Sequence, residues 1–190
     1  MPVTALDPVT ALVVIDLQKG IAKMPTLRPF GEIVAKTVDL AKAFRAAQLP
    51  VVLVNVGFSS DGKDAPLVRA DVKRAWAFPP DFSELAPELD AQPSDLRITK
   101  RQPNAFYGTE LDLQLRRRRV TGIVLTGIST SSGVDGTARA AIERGYNVTF
   151  ASDAITDADA EAHDFVMKKL FPRFGEVDTT AAIVAMLAER

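Results

Sequence analysis

Apolar residues along this chain follow two patterns that alternate: short unbroken runs rich in β-branched residues, and longer stretches with helical spacing. Residues 11–17 (ALVVIDL) form a continuous apolar run ending in a charge, the pattern of a strand buried on both faces. Residues 32–48 place Ile33, Val34, Val38, Leu40, Ala41 and Phe44 at helical spacing. Leu49-Pro50 stops that helix before a second buried strand, Val51–Val56. Leu96–Lys100 predicts a short strand that again ends in a charge. Residues 109–118 predict a helix opened by Thr109, with Asp112 three residues on in the manner of a capping box. Residues 120–128 (VTGIVLTGI) are the third strong strand, followed by a helix over 133–144 that Gly145 terminates. A strand over 147–151, a helix over 158–170 and a weak strand Glu176–Asp178 come next. Asp178 or Thr179 then caps a last helix running through Leu187. Strands separated by helices of this length need crossover connections. The expected fold class is therefore α/β, a three-layer, doubly wound domain with a mostly parallel sheet.

No internal repeat, low-complexity tract or Gly/Ser linker divides the chain, and 190 residues suit one substantial core, so a single domain over 1–190 is expected. Segment 57–96 is the irregular part, broken up by Pro66, Pro79, Pro80, Pro87 and Pro93. An excursion of that length inside a compact domain usually carries a lid or an oligomer contact.

A net charge of −1 gives no electrostatic case for nucleic acid or an anionic membrane as partner. No apolar run approaches the roughly 18–20 residues of a membrane span, and the N-terminal residues MPVTALDP lack the basic start and apolar stretch of a signal peptide. The absence of cysteine excludes a disulfide framework, thiolate metal ligation and a cysteine nucleophile, and it fits a cytoplasmic protein. The arginine run 116–119 reads as the solvated end of a helix.

In open parallel sheets, ligands bind at the carboxyl ends of the strands near the switch point. That rule selects Asp16, Lys100 and the segment 129–133. Asp16 emerges from an apolar run, where burial raises a carboxyl pKa and a nearby ammonium lowers it. An Asp/Lys pair held at a cleft can serve proton transfer. The segment 126–133 (TGISTSSG) is small and polar and precedes a helix. Its backbone N–H groups could hold an anion or oxyanion, or it is simply a strand-to-helix turn capped by Ser131 or Ser132. Neither a G-x-G-x-x-G nor a G-x-x-x-x-G-K-[ST] motif occurs, so dinucleotide and P-loop chemistry have no support. His163, the single histidine, lies in a helical stretch with no nucleophile-elbow serine to serve. It is expected at the surface or a subunit contact.

Several blocks occur together: Val13-Val14-Ile15-Asp16-Leu17-Gln18; Thr99-Lys100-Arg101 with Ala105-Phe106-Tyr107-Gly108-Thr109 and Leu111; Leu125-Thr126-Gly127-Ile128-Ser129-Thr130 with Val134; Thr137-Ala138-Arg139-Ala140-Ala141; Gly145-Tyr146-Asn147-Val148; and Ser152-Asp153-Ala154. The set resembles the isochorismatase-like hydrolase family, with the blocks in the family's order and spacing across most of residues 11–157. The resemblance implies a six-stranded parallel sheet flanked by helices, a small-molecule substrate, and a homo-oligomer, dimer or tetramer.

Many members of that family use an Asp-Lys-Cys triad. By resemblance Asp16 matches the aspartate, Lys100 the lysine, and Gly133 falls at the cysteine, so acyl-enzyme chemistry is lost there. Ser132 and Ser131 stand one and two positions off, and nothing in the sequence supplies a base for them. The Asp-x-His metal pattern of nicotinamidases is also missing, since the second strand runs into Asn55-Val56-Gly57-Phe58; no metal and no cofactor are expected.

The vinyl-ether hydrolases of the family likewise carry glycine in place of cysteine. By that resemblance Asp16 is the general acid, and Lys100 holds a substrate carboxylate or tunes Asp16. Gly133 leaves room for substrate, the Ser129 and Gly133 amides orient an oxygen, and the Ile128–Ser129 peptide is cis. Ser129, Gln18, Trp76 and Phe106 are the substrate-binding candidates. Trp76, Phe78 and Phe82 line an aromatic wall over the site, or else pack a lid or subunit interface. The function implied is hydrolysis of a small carboxylated metabolite without a covalent intermediate, vinyl-ether cleavage releasing pyruvate being the specific case. The alternative is a catalytically silent small-molecule-binding or scaffold protein.

Overall fold

In the computed structural model, which describes residues 3–66, 68–71 and 78–189, the unbroken apolar runs become the centre of one sheet. β1 (Thr10–Ile15) and β4 (Gly122–Ile128) have every residue buried, and they pair in register from Thr10 with Gly122 to Ile15 with Gly127. β2 (Val51–Val56) lies on the other side of β1, and β3 (Leu96–Lys100) outside it. β5 (Asn147–Thr156) and β6 (Glu176–Asp178) extend the sheet beyond β4. All six strands are parallel, in the order β3-β2-β1-β4-β5-β6, so the chain winds outward in both directions from the β1/β4 boundary. The expected doubly wound sheet is observed, and its switch point lies between the strands that end at Asp16 and Ser129.

Alternate side chains leave each strand on opposite faces, and each face has its own core. On one, Leu12, Val14, Leu53 and Val124 meet Ile33, Leu40 and Phe44 of α2 (Phe30–Ala46), with Ile183 of the last helix. On the other, Val13, Ile15, Val54, Ile98, Leu125 and Phe150 meet Leu111, Leu115, Ala138 and Phe171. A short α1 (Lys19–Ala22) follows β1.

Element ends depart from the pattern where tertiary contacts take over. Helix α2 stops at Ala46, two residues early, because Gln48 turns into the left-handed region at φ 56°. Helix α3 (Leu111–Arg117) is opened by Thr109, whose hydroxyl accepts from Leu111 N–H at 3.2 Å and donates to the Ala105 carbonyl at 2.6 Å, but the reciprocal half of a capping box is missing because Asp112 accepts from the Tyr146 hydroxyl at 2.9 Å. Arg116 is not simply solvated, since its guanidinium lies 4.2 Å over the Tyr146 ring and donates to the Arg144 carbonyl. Strand β5 runs five residues past its expected end, crossing a register irregularity opposite Leu125 and Gly127.

A π-helical turn, Thr130–Val134, precedes α4 (Asp135–Glu143). The expected helix over 158–170 is α5 (Ala160–Phe165), a second π-helical turn (Val166–Leu170) and α6 (Phe171–Phe174), because Pro172 cannot donate into a regular helical ladder. Thr179, not Asp178, caps α7 (Thr180–Ala188) by accepting from the Ala182 N–H. Among its described residues, segment 57–96 is irregular as expected apart from one short 3-10 turn, Pro87–Leu89, and Leu96, which begins β3.

Candidate active site

The site begins where β1 ends. Asp16 leaves the strand at φ 55°, in the left-handed region that a non-glycine residue rarely adopts, with its N–H on the Val54 carbonyl and its carbonyl accepting from Gln18. Edge strand β3 alternates, so Lys100 shares the buried face of Ile98 while Arg97 and Thr99 point to solvent. Lys100 Nζ and Asp16 Oδ2 therefore meet at 2.7 Å, both side chains almost fully buried. Asp16 Oδ1 is buried and, among the described residues, has no hydrogen-bond partner. Burial pushes the Asp16 carboxyl up to about 6 against the opposing pull of the Lys100 ammonium. The result is a carboxyl that titrates near neutrality, with one oxygen engaged and one free.

Position 133 faces this pair. A Cβ built on Gly133 would lie 2.9 Å from Ile15 Cγ2 and 3.3 Å from Asp16 Oδ2. The backbone reaches this point from β4 through Gly127, at φ 115°, where any Cβ would stand 2.0 Å from the Ile15 carbonyl oxygen. The Ile128–Ser129 peptide is cis. The Ser132 and Val134 N–H groups both turn back to the Ser129 carbonyl. Among the described residues, neither the Ser129 nor the Gly133 N–H donates to a group in another element. The structure thus brings Asp16, Lys100, Ser129 and Gly133 together at the carboxyl ends of β1, β3 and β4.

Three other side chains hold this turn. Asp157, just after β5, accepts from both the N–H and the hydroxyl of Ser131 at 2.7 Å. Thr137 donates to the Gly133 carbonyl at 2.6 Å and accepts from Ala105 N–H. Thr130, fully buried, has its hydroxyl 2.7 Å from Nδ1 of His163. His163 is therefore half-buried, its ring turned from the surface to the site turn, because α5 packs against residues 130–134. The only advance signal for these residues was local: Thr137 stands one helical turn after Gly133, the spacing at which a hydroxyl bonds a carbonyl. The Ser131 hydroxyl is spent on Asp157, which removes it from the Asp16 pair.

Two of the substrate-binding candidates have their side chains engaged within the protein. Gln18 is fully buried and its amide is consumed by backbone: Nε2 donates to the Val56 and Phe82 carbonyls, and Oε1 accepts from Val56 N–H. It ties the ends of β1 and β2 to segment 82–86 and has nothing left for a substrate. Phe106 is also core: its ring stacks on Tyr146 at 5.8 Å with the Arg144 guanidinium 5.0 Å above it. Tyr146 precedes β5, at the end of the sheet opposite Asp16. Phe78 packs between Phe58 and Phe82, and Phe82 fills the space left by Gly20. Trp76 lies outside the described residues. Among the described residues no three His, Asp or Glu side chains are placed to share a metal ion.

Residues 10–182 match the isochorismatase domain family model. The uncharacterised isochorismatase family protein YecD of Escherichia coli O157:H7 is 43% identical over 94% of this chain and 96% of its own length. YwoC of Bacillus subtilis, likewise uncharacterised, is 42% identical over 90% of each chain. The ureidoacrylate amidohydrolase RutB of Methylobacterium radiotolerans is more distant, at 28% identity over 96% of this chain and 81% of its own. Among solved structures, an isochorismatase family protein from Burkholderia thailandensis superposes with a TM-score of 0.93 at 46% identity, covering 96% of this chain and 97% of that one. A cysteine hydrolase from Pseudomonas syringae pv. phaseolicola gives 0.80 at 27% identity over 95% and 92%.

Proposed function

The chain belongs to the isochorismatase family, and from that premise we propose a hydrolase that works without a covalent intermediate, Asp16 being its general acid and Lys100 its partner. One observation carries this reading. The buried Asp16 carboxyl has an unspent oxygen and faces position 133, where this chain has no side chain; by the family resemblance this is the cysteine position. With no nucleophile to attack a carbonyl, the chemistry left to the site is proton transfer.

The substrate that suits it is a small carboxylated vinyl ether. Asp16 gives its proton to the terminal carbon of the enolpyruvyl group, leaving an oxocarbenium-like centre at the ether carbon. Water adds to that carbon and returns a proton to the Asp16 carboxylate. The hemiketal then collapses, the carbon–oxygen bond to the alcohol breaks, and pyruvate and the alcohol leave. Lys100 offsets the charge left on Asp16 or holds the substrate's carboxylate, and the Ser129 and Gly133 amides orient an oxygen. None of these steps calls on a cofactor. The same reading includes a homo-oligomer, dimer or tetramer, which light scattering on the purified protein checks.

The test of substrate is pyruvate release from isochorismate, followed as NADH loss with lactate dehydrogenase in excess. The reading predicts enzyme-dependent loss. No release at high enzyme concentration removes the vinyl-ether assignment and returns the substrate to the wider class of small carboxylated metabolites.

A further inference from the structure

We propose that His163 is a positioning residue for this site. Its Nδ1 holds the Thr130 hydroxyl, and through Thr130 it fixes the turn that sets the Ser129 and Gly133 amides against Asp16. The inference rests on Asp16 and Gly133 being the reacting centre.

The turn from Ser129 to Gly133 has three side-chain anchors. Two of them, Asp157 on Ser131 and Thr137 on the Gly133 carbonyl, hold its middle and its far end. The third is His163 on Thr130, the residue directly after the cis Ile128–Ser129 peptide and its Ser129 amide. The Thr130 hydroxyl is fully buried and bonds no other group among the described residues, so the imidazole is what satisfies it. A purely structural role for His163 is not supported by its helix: no residue of α5 is fully buried, and Val166, in the next turn, is what enters the core. What the imidazole touches is the site turn.

The charged groups around the imidazole are Arg28 and Lys168 on one side of the balance and Asp157 and Asp164 on the other. Burial, with Arg28 next, holds His163 below the usual histidine range, so the ring is neutral at neutral pH. A neutral ring with its hydrogen on Nε2 accepts the Thr130 proton at Nδ1. Arg28 is itself fixed, by its N–H on the Thr156 hydroxyl and its guanidinium on the Ser152 carbonyl. Arg28 thus holds a fixed positive charge toward the imidazole, while the bond to the site turn is made by His163 itself.

The test is a set of 1H–15N spectra of the full chain at about pH 8, where the ring is neutral. His163→Ala and Thr130→Val are each expected to shift and broaden the amides of residues 129–134, Ser129 and Gly133 most, with the double variant no worse than either single one. His163→Asn, whose side-chain amide can stand in the place of Nδ1, is expected to keep those amides near their original positions. The side-chain 15N shifts of His163 are expected to show the Nε2–H tautomer, and to lose that preference in Thr130→Val. With any turned-over substrate, the Ala and Val variants are expected to lose roughly tenfold in kcat with KM within about twofold. Thr130→Val amides at their original positions, or a His163→Ala change confined to α5, would overturn the assignment. The spectra need no substrate, so they decide the role of His163 even if Asp16 proves dispensable.

Discussion

Asp16 is held between two opposing forces, burial that favours its neutral form and a lysine that favours its charged form, and burial prevails. A general acid must carry its proton, so kcat/KM is expected to fall about tenfold per pH unit above a midpoint near 6. A rise through the same midpoint would make Asp16 a base instead. The shift also acts on stability. Because the folded state prefers the proton, the contribution is fully present below the unfolded carboxyl value near 4 and is lost as pH rises through about 6. The melting temperature of the unaltered protein relative to that of Asp16→Asn should fall as pH rises from about 4 through about 6. At position 133 the constraint is steric. An added Cβ would press on Ile15 Cγ2, a branched side chain with little freedom to move, so Gly133→Ala is expected to lose about 1–3 kcal/mol in denaturant unfolding and to slow turnover by filling space beside Asp16. Asp16 and Lys100 were legible beforehand because a charge at the end of an apolar run shows within a few residues of sequence. Gln18 and Phe106 were not, because their partners are remote: Gln18 bonds groups 38 and 64 positions away. Gln18→Leu is accordingly expected to lower stability by about 3 kcal/mol, by stranding the Val56 and Phe82 backbone groups. A variant with unchanged stability and a raised KM would return Gln18 to the substrate.

The element that matters most is the π-helical turn Thr130–Val134, and the sequence pattern showed only a small polar stretch ahead of a helix. Its wide winding comes from outside it, from Asp157, Thr137 and the backward bonds to the Ser129 carbonyl, none of which a hydrophobic period encodes. The same holds for β5, whose extra residues follow from its pairing with Gly127 and Ile128 across the register irregularity, and for the helix interrupted ahead of Pro172. Strand centres were readable because β1, β2 and β4 lie inside the sheet and carry nearly unbroken apolar runs. Gly127 links these strands to the turn. Its φ and its approach to the Ile15 carbonyl leave no room for a side chain, so Gly127→Ala is expected to cost more than about 3 kcal/mol, seen as a lost or sharply lowered thermal transition. A wild-type melting temperature would mean the β1/β4 contact is looser than described.

At the scale of the molecule, the two apolar clusters share one sheet, so neither can lose its packing without exposing the other. We propose that residues 1–190 form one domain, for which unfolding in urea is a single cooperative transition by both circular dichroism and fluorescence. Two separated transitions would contradict that. The doubly wound order was legible from the alternation of runs and helices, whereas the path of 57–95 was not, because its contacts, such as Ala86 on the Leu17 carbonyl, are made with the segment after β1. The winding leaves β1, β3 and β4 ending on one rim, and that rim is where Asp16, Lys100 and Gly133 meet. The most direct measurement is turnover of isochorismate by Asp16→Asn beside the unaltered protein, with circular dichroism and melting to show that the variant is folded. The account predicts that pyruvate release falls by at least about a thousandfold while the fold is retained, as expected when an acid essential to the chemical step is removed. Full activity in a folded Asp16→Asn protein would contradict it.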